Sequence, residues 1–105
     1  MARDPNLRTI FIDSVVAFLQ KFGFEGLDFD WEYPGFFEGS DPENDKDNFS
    51  ALIRELAERL HPMGYLLSSA VSPGYEKVRV TLRRLITYHN YYFGPRNQFE
   101  FEFFD

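Results

Sequence analysis

Three carboxylates, Asp28, Asp30 and Glu32, occupy every second position of a short stretch of the sequence. In a β-strand alternate side chains point to the same side, which would place neighbouring carboxylates about 6.6 Å apart. If that side faced the interior of a closed sheet, burial and like-charge repulsion would keep at least one of them protonated near neutral pH. Such a group can act as a proton donor.

Glu32 is the candidate proton donor among the three. It lies last on the predicted strand, at the carboxyl end where barrel active sites assemble, and its side chain has the longest reach. Asp30 is placed to share a proton or to orient a ligand group. Asp28, deeper in the strand, would influence the protonation of Asp30.

Two other interpretations fit the same residues. The acids could be the solvated face of a half-exposed strand, or they could bind a metal, since Asp28, Asp30 and Glu32 imitate the first ligands of a calcium loop. That loop needs glycine where Tyr33 stands and glutamate where Gly39 stands. The spacing therefore argues against a metal site.

Helices are predicted on both sides of the acidic strand. Asp4 or Asn6 could cap the first helix, and Gly23 follows its last apolar position. The second helix runs from about Asp45 to Leu60. Apolar residues with helical spacing form the first stripe (Leu7, Ile10, Phe11, Val15, Phe18, Leu19, Phe22) and the second (Phe49, Leu52, Ile53, Leu56, Leu60).

Two strands alternate with these helices. The first, Phe24 to Trp31, places Leu27, Phe29 and Trp31 opposite the acids, and a loop over residues 33–45 follows it. The second, Tyr65 to Val71, is continuously small or apolar, as in a strand covered on both faces. The order predicts an α/β fold with parallel strands. Further on, Val80 to Tyr92 favours a helix, and Asn97 to Asp105 reads as an aromatic, acidic tail without a clear partner.

The stretch Glu25-Gly26-Leu27-Asp28-Phe29-Asp30-Trp31-Glu32-Tyr33-Pro34 resembles the D-G-x-D-x-D-W-E-Y-P signature of glycoside hydrolase family 18, the chitinases and chitinase-like proteins. The similarity extends from about Arg8 to Val80. It implies a partial (β/α)8 TIM barrel with two to three βα units in residues 1–80. Residues 81–105 are then a divergent C-terminal segment, predicted to be poorly ordered.

By this resemblance, the full-length form hydrolyses β-1,4-linked N-acetylglucosamine polymers with retention. Glu32 protonates the glycosidic oxygen, the substrate's N-acetyl carbonyl attacks the anomeric carbon, and Asp30 orients that group. Tyr33 and Trp31 are candidate substrate-binding residues, and Phe36 and Phe37 could line the cleft. No cofactor or metal is implied. The implied partner is chitin or its oligosaccharides, and the implied location is extracellular, although this chain shows no signal peptide.

Three departures from the family pattern stand out. Glu25 replaces the usual first aspartate, and Ile86-Thr87-Tyr88-His89 only faintly resembles the later Met-x-Tyr-Asp segment. The chain has 105 residues, whereas a complete barrel needs on the order of 250. We therefore expect open sheet edges, a tendency to aggregate and no activity in this polypeptide alone. A chitin-binding, lectin-like protein and a nonfunctional truncated gene product are the alternatives.

Composition excludes other classes of function. The net charge of −6 disfavours nucleic acid as a partner, because phosphate binding needs clustered Lys and Arg. No stretch approaches the roughly 18 apolar residues of a membrane span. The sequence does not predict an oligomeric state.

Overall fold

The computed structural model describes residues 1–35 and 39–69, together with the backbone of residues 91–93 and 99–100. The elements, in chain order, are α1 (Pro5–Phe22), β1 (Gly26–Asp28), α2 (Asp45–Leu60), a 3-10 turn (His61–Met63), β2 (Leu66–Ser69), β3 (Tyr91–Phe93) and β4 (Phe99–Glu100). Within these described residues, no helix is both long and apolar enough to cross a membrane. The two helices and two strands predicted within residues 6–71 are all present, and β1 is shorter than predicted.

Helix α1 is closed at both ends by the residues that the sequence indicates. The Asp4 carboxylate accepts hydrogen bonds from the backbone N–H groups of Asn6 and Leu7, at 2.8 and 3.3 Å. At the other end, Gly23 adopts a left-handed conformation with φ of 68° and donates its N–H to the Leu19 carbonyl. Asp4 is therefore the N-cap and Gly23 the C-cap of α1.

The predicted buried stripe of α1 is wrong for four of its seven positions. Leu7, Ile10, Phe18 and Phe22 are exposed, whereas the residues that α1 buries are Arg8, Ile12, Val15, Val16 and Leu19. Apolar residues lie on more than one side of this helix, so their spacing alone does not decide which side is covered. In the fold, the covered side of α1 packs on α2 and β1.

Helix α2 forms the centre of the core. All five residues of its predicted stripe are buried, and Leu52, Leu56 and Leu60 are completely inaccessible. They pack with Leu67 of β2 and with the buried side of α1. The predicted range and buried side of α2 are both confirmed.

Strands β1 and β2 are parallel, and α2 is the crossover between them. Gly26 pairs with Leu66, and the ladder continues beyond β1 through the Phe29 N–H, which donates to the Ser68 carbonyl at 2.8 Å. A Cβ atom at position 26 would collide with the Leu66 carbonyl oxygen. Glycine at this position therefore allows the two strands to approach each other.

The last two strands differ from the sequence prediction. Strand β3 pairs antiparallel with β2, and β4 pairs antiparallel with β3, so the sheet has the order β1-β2-β3-β4. Tyr91 and Tyr92 lie in a strand rather than at the end of a helix. Phe99 and Glu100, predicted to have no clear partner, pair with β3. The aromatic residues of these segments favour strands. The rest of the predicted helix and tail, and the proposed boundary at residue 80, lie outside the described residues.

We expect Gly26→Ala to lower the free energy of unfolding by about 1–3 kcal/mol, because the added methyl group forces β1 away from β2. Chemical denaturation of this chain measures the effect. Gly23→Asn is the matched control, since position 23 has open space around it and asparagine tolerates a positive φ. A Gly26→Ala variant as stable as the wild type would contradict the close-approach argument.

Candidate active site

The side chains around β1 alternate as predicted. Leu27, Phe29 and Trp31 are partly buried and pack against the core, whereas Asp28, Asp30 and Glu32 are exposed. The three acids thus lie outside the hydrophobic core. The predicted strand extends only over Gly26–Asp28, so Asp30 and Glu32 follow it in extended, irregular backbone.

The prediction that these carboxylates are enclosed is wrong for this chain, since all three are exposed to solvent. The physical reason is the open sheet. In the part of the chain that the structure describes, β1 and β4 are the two ends of the strand order and do not pair with each other. The face that carries the acids is therefore not the inside of a closed barrel in these residues.

Two serines of β2 support the acidic strand from the side. Ser68, opposite Asp28 in the register, donates its hydroxyl to Asp28 Oδ1 at 2.7 Å. Ser69, which is 1% exposed, donates to the Phe29 carbonyl at 2.6 Å. The sequence predicts this strand only as continuously small or apolar, without a role for either serine. The feature that indicates their role is a pair of hydroxyl groups in an otherwise apolar strand.

Asp30 and Glu32 line the same cavity, which has a volume of about 640 Å³. Its wall comes from three parts of the chain: the end of the acidic strand (Phe29, Asp30, Trp31, Glu32), the following loop with the start of α2 (Gly39, Ser40, Asp41, Asp45) and the N-terminal residues (Met1, Ala2, Arg3). The loop and N-terminal residues were not among the predicted site residues. Only folding brings them next to the acids.

Asp28 does not line this cavity. It borders a second groove of about 340 Å³ between α1 and β1, which also contains Phe18, Leu19 and Phe24. The structure therefore brings together two of the three predicted catalytic acids. The third, Asp28, is connected to the site only through its place on the strand, and it accepts a hydrogen bond from Ser68.

The predicted substrate-binding aromatics have different surroundings. Trp31 lines the cavity, and its ring also makes an edge contact with Phe49 of α2, with centroids 5.9 Å apart. Tyr33 is half-buried, and the peptide bond between Glu32 and Tyr33 is cis. Phe36 and Phe37 lie outside the described residues. The roles of Trp31 and Tyr33 in binding remain predictions.

The N-terminal wall of the cavity is anchored by Arg8. Its guanidinium makes two hydrogen bonds with the Glu55 carboxylate, each 2.9 Å long, and a third with the Ala2 carbonyl at 2.7 Å. Arg8 is 8% exposed, and the hydrogen bonds with Glu55 raise the pKa of Arg8. Such a planar fork can join α1, α2 and the N-terminal turn through a single side chain.

The chain belongs to a known enzyme family. The family profile described as "Glycosyl hydrolases family 18" matches residues 1–93, which include α1, the acidic strand, α2, β2 and β3. The resemblance seen in the sequence motif is thereby confirmed.

Relatives with curated descriptions carry chitinase names. The chain is 45% identical over 78 residues to "Probable chitinase 10" of Drosophila melanogaster, covering 70% of this chain and 3% of the relative. It is 48% identical over 56 residues to the "Endochitinase" of Manduca sexta, covering 53% and 10%. It is 42% identical over 81 residues to "Chitotriosidase-1" of Mus musculus, covering 77% and 16%. The chain thus spans a small part of the length of these relatives.

Solved structures give the same result for the fold. The Group IV chitinase of Ostrinia furnacalis in complex with allosamidin has a TM-score of 0.73 and 37% identity, covering 78% of this chain and 22% of that one. Catalytic domain 2 of the Group II chitinase from the same organism has a TM-score of 0.72 and 34% identity, covering 77% and 22%. About three quarters of this chain therefore has the arrangement found in part of a chitinase catalytic domain.

We expect the Arg8–Glu55 pair to have a coupling free energy of about 1–3 kcal/mol in a double-mutant cycle, because both hydrogen bonds are charge-assisted and Arg8 is buried. Stability is measured for Arg8→Met, Glu55→Gln and the double variant. The control cycle uses the pair Arg59–Asp13, whose side chains are 48% and 56% exposed and should couple by less than about 1 kcal/mol. Equal coupling in both cycles would contradict the anchoring role.

Proposed function

We propose that this segment is part of a chitinase-type hydrolase that cleaves β-1,4-N-acetylglucosamine linkages in its full-length form. The observation that carries the proposal is the position of Asp30 and Glu32 on one cavity at the end of the acidic strand. Membership of the family and the chitinase names of the relatives support the same reaction.

The proposed chemistry is substrate-assisted retention. Glu32 donates its proton to the glycosidic oxygen as the bond to the anomeric carbon breaks, and the substrate's N-acetyl carbonyl oxygen forms a bond to that carbon. Water then attacks the same carbon and gives a proton to the Glu32 carboxylate, while the bond from that carbon to the N-acetyl carbonyl oxygen breaks and the N-acetyl group is restored. Asp30 orients the N-acetyl group and stabilises the positive charge of the cyclic intermediate. Asp28, which accepts a hydrogen bond from Ser68, influences the protonation of Asp30 from deeper in the strand.

The proposed setting is a (β/α)8 barrel to which α1, β1, α2 and β2 contribute. The parallel β1–α2–β2 unit supports this assignment. In a closed barrel the side of β1 opposite the helices faces the interior, where the acids would lose contact with bulk water. Because they are exposed in this chain, we propose that the 105-residue polypeptide alone is inactive.

The proposed substrate is chitin or its oligosaccharides. Among the solved relatives, one is a complex with allosamidin and another a complex with penta-N-acetylchitooctaose. Trp31 borders the cavity and could stack on the apolar face of a sugar ring, and Tyr33 follows two residues later in the chain. Secretion is part of the proposal, because chitin is an extracellular polymer.

In the full-length protein, Glu32→Gln should lower the turnover of a chitin oligosaccharide by roughly 10²- to 10⁴-fold, the contribution of a positioned general acid. Binding of the oligosaccharide, measured by calorimetry, should change little because glutamine keeps the shape of the side chain. Glu43→Gln is the matched control: this residue is exposed in the following loop and does not line the cavity.

Undiminished turnover in Glu32→Gln would show that Glu32 is not the proton donor. A wild-type full-length protein that binds the oligosaccharide without cleaving it would instead favour the lectin-like alternative. Hydrolysis by the 105-residue chain itself would overturn the proposal that this part alone is inactive.

A further inference from the structure

The loop between the acidic strand and α2 is tied together by one buried oxygen. Oδ2 of Asp45, the first residue of α2, accepts a hydrogen bond from the Gly35 N–H at 3.1 Å and another from the Asp41 N–H at 2.8 Å. The two donors lie on opposite sides of positions 36–38. Asp45 therefore fixes the distance between the outgoing and the returning parts of the loop.

Asp45 is well suited to this task. It is 8% exposed, so its hydrogen bonds are shielded from competing water, and charge assistance strengthens them. Its position in the first turn of α2 is favourable for a carboxylate, because the free N–H groups and the helix dipole are positive there. Removing the carboxylate would leave two backbone donors without this acceptor.

The returning part of the loop is held by a second set of bonds. The Asp41 carboxylate accepts a hydrogen bond from the Asn44 side chain at 2.8 Å and longer ones from the backbone N–H groups of Glu43 and Asn44. The bond from the Asn44 side chain lowers the pKa of Asp41. The Asp41 carbonyl also accepts the Asp45 N–H at 2.8 Å. Asp41 and Asp45 are thus connected in both directions.

This arrangement lies directly beside the candidate catalytic acid. Gly35 comes three residues after Glu32, and Pro34 between them is buried. Asp41 and Asp45 also line the cavity that contains Asp30 and Glu32. A shift of the loop would therefore move the backbone that carries the proton donor and one wall of the cavity together.

We propose that Asp45 is a positioning residue for the reaction: by holding Gly35 and Asp41 it fixes the backbone after Glu32 and so the distance of the proton donor from the sugar's leaving oxygen. The catalytic part rests on the proposed function. Small misplacements of a reacting group are costly, since catalysis depends on a near-attack geometry.

Amide hydrogen exchange on the 105-residue chain tests the structural part without any catalysis. The Gly35 and Asp41 amides should be protected in the wild type, and Asp45→Ala should speed their exchange at least about tenfold, the effect of losing one buried hydrogen bond. Glu58→Ala is the matched control, because Glu58 is an exposed acid of the same helix that does not line the cavity. Exchange at these two amides that is unchanged in Asp45→Ala overturns the proposal.

The amides of Leu52 and Leu56 report whether α2 still folds in each variant. If Asp45→Ala does not fold, Asp45→Asn decides. Asparagine keeps an acceptor oxygen without the charge, so the exchange of Gly35 and Asp41 should rise by about threefold or more because the neutral bond is roughly half as strong. Wild-type exchange rates at both amides in a folded Asp45→Asn chain overturn the proposal.

Steady-state kinetics of the full-length protein test the catalytic part. Asp45→Ala should lower kcat by about tenfold or more while KM changes by less than about threefold, because the loss falls on the transition state. Asp45→Asn should recover part of kcat, and Glu58→Ala should stay near the wild type. A rise in KM with an unchanged kcat overturns the positioning role. An inactive wild type contradicts the proposed function instead, and the exchange experiment then decides the role of Asp45 in the loop.

Discussion

The parallel pairing of β1 with β2 is the interaction on which the rest of the structure depends. It requires a residue without a side chain at position 26, because a Cβ atom there would meet the Leu66 carbonyl oxygen. Once the register is set, the pleat fixes which residues turn towards the helices and which turn away. A shift of one residue would exchange Phe29 for Asp30 in the core. The close approach of the strands at Gly26 thus determines both which residues enter the core and which form the acidic face.

Helix α2 connects this sheet to the loop of the site. Its buried leucines hold α1 and β2, and its first residue, Asp45, holds the loop that follows Glu32. Its middle also reaches the N-terminal wall of the cavity, through the bonds between Glu55 and Arg8. One rigid element therefore positions two separate parts of the cavity wall. Sites supported in this way keep their geometry better than sites built on loops alone.

The sequence predicts elements whose cause is local. Asp4 and Gly23 cap α1 through bonds within a few residues, and the stripe of α2 has apolar residues on one side only. Helix α1 carries apolar residues on several sides, so its covered side depends on its neighbours and could not be predicted. The contacts of Asp45 and Ser68 join residues of different elements, and no local pattern indicates them. The helix predicted for Val80 to Tyr92 is wrong at Tyr91 and Tyr92 for the same reason, since strand pairing is a property of the whole sheet.

Two groups of exposed side chains in this chain, a cluster of phenylalanines and the acids of the strand, have a common explanation. Phe18, Phe22 and Phe24 form a cluster with centroids 4.7 to 6.3 Å apart, yet each is more than half exposed. The groove beside them lies between α1 and β1 and also contains Asp28, whereas Asp30 and Glu32 line the other cavity. Apolar rings favour burial and unpaired acids favour water, so no single environment suits both surfaces. In the proposed barrel, further helices would cover the rings and a polar, ligand-sized interior would cover Asp30 and Glu32, which agrees with the proposal that activity needs the full-length form.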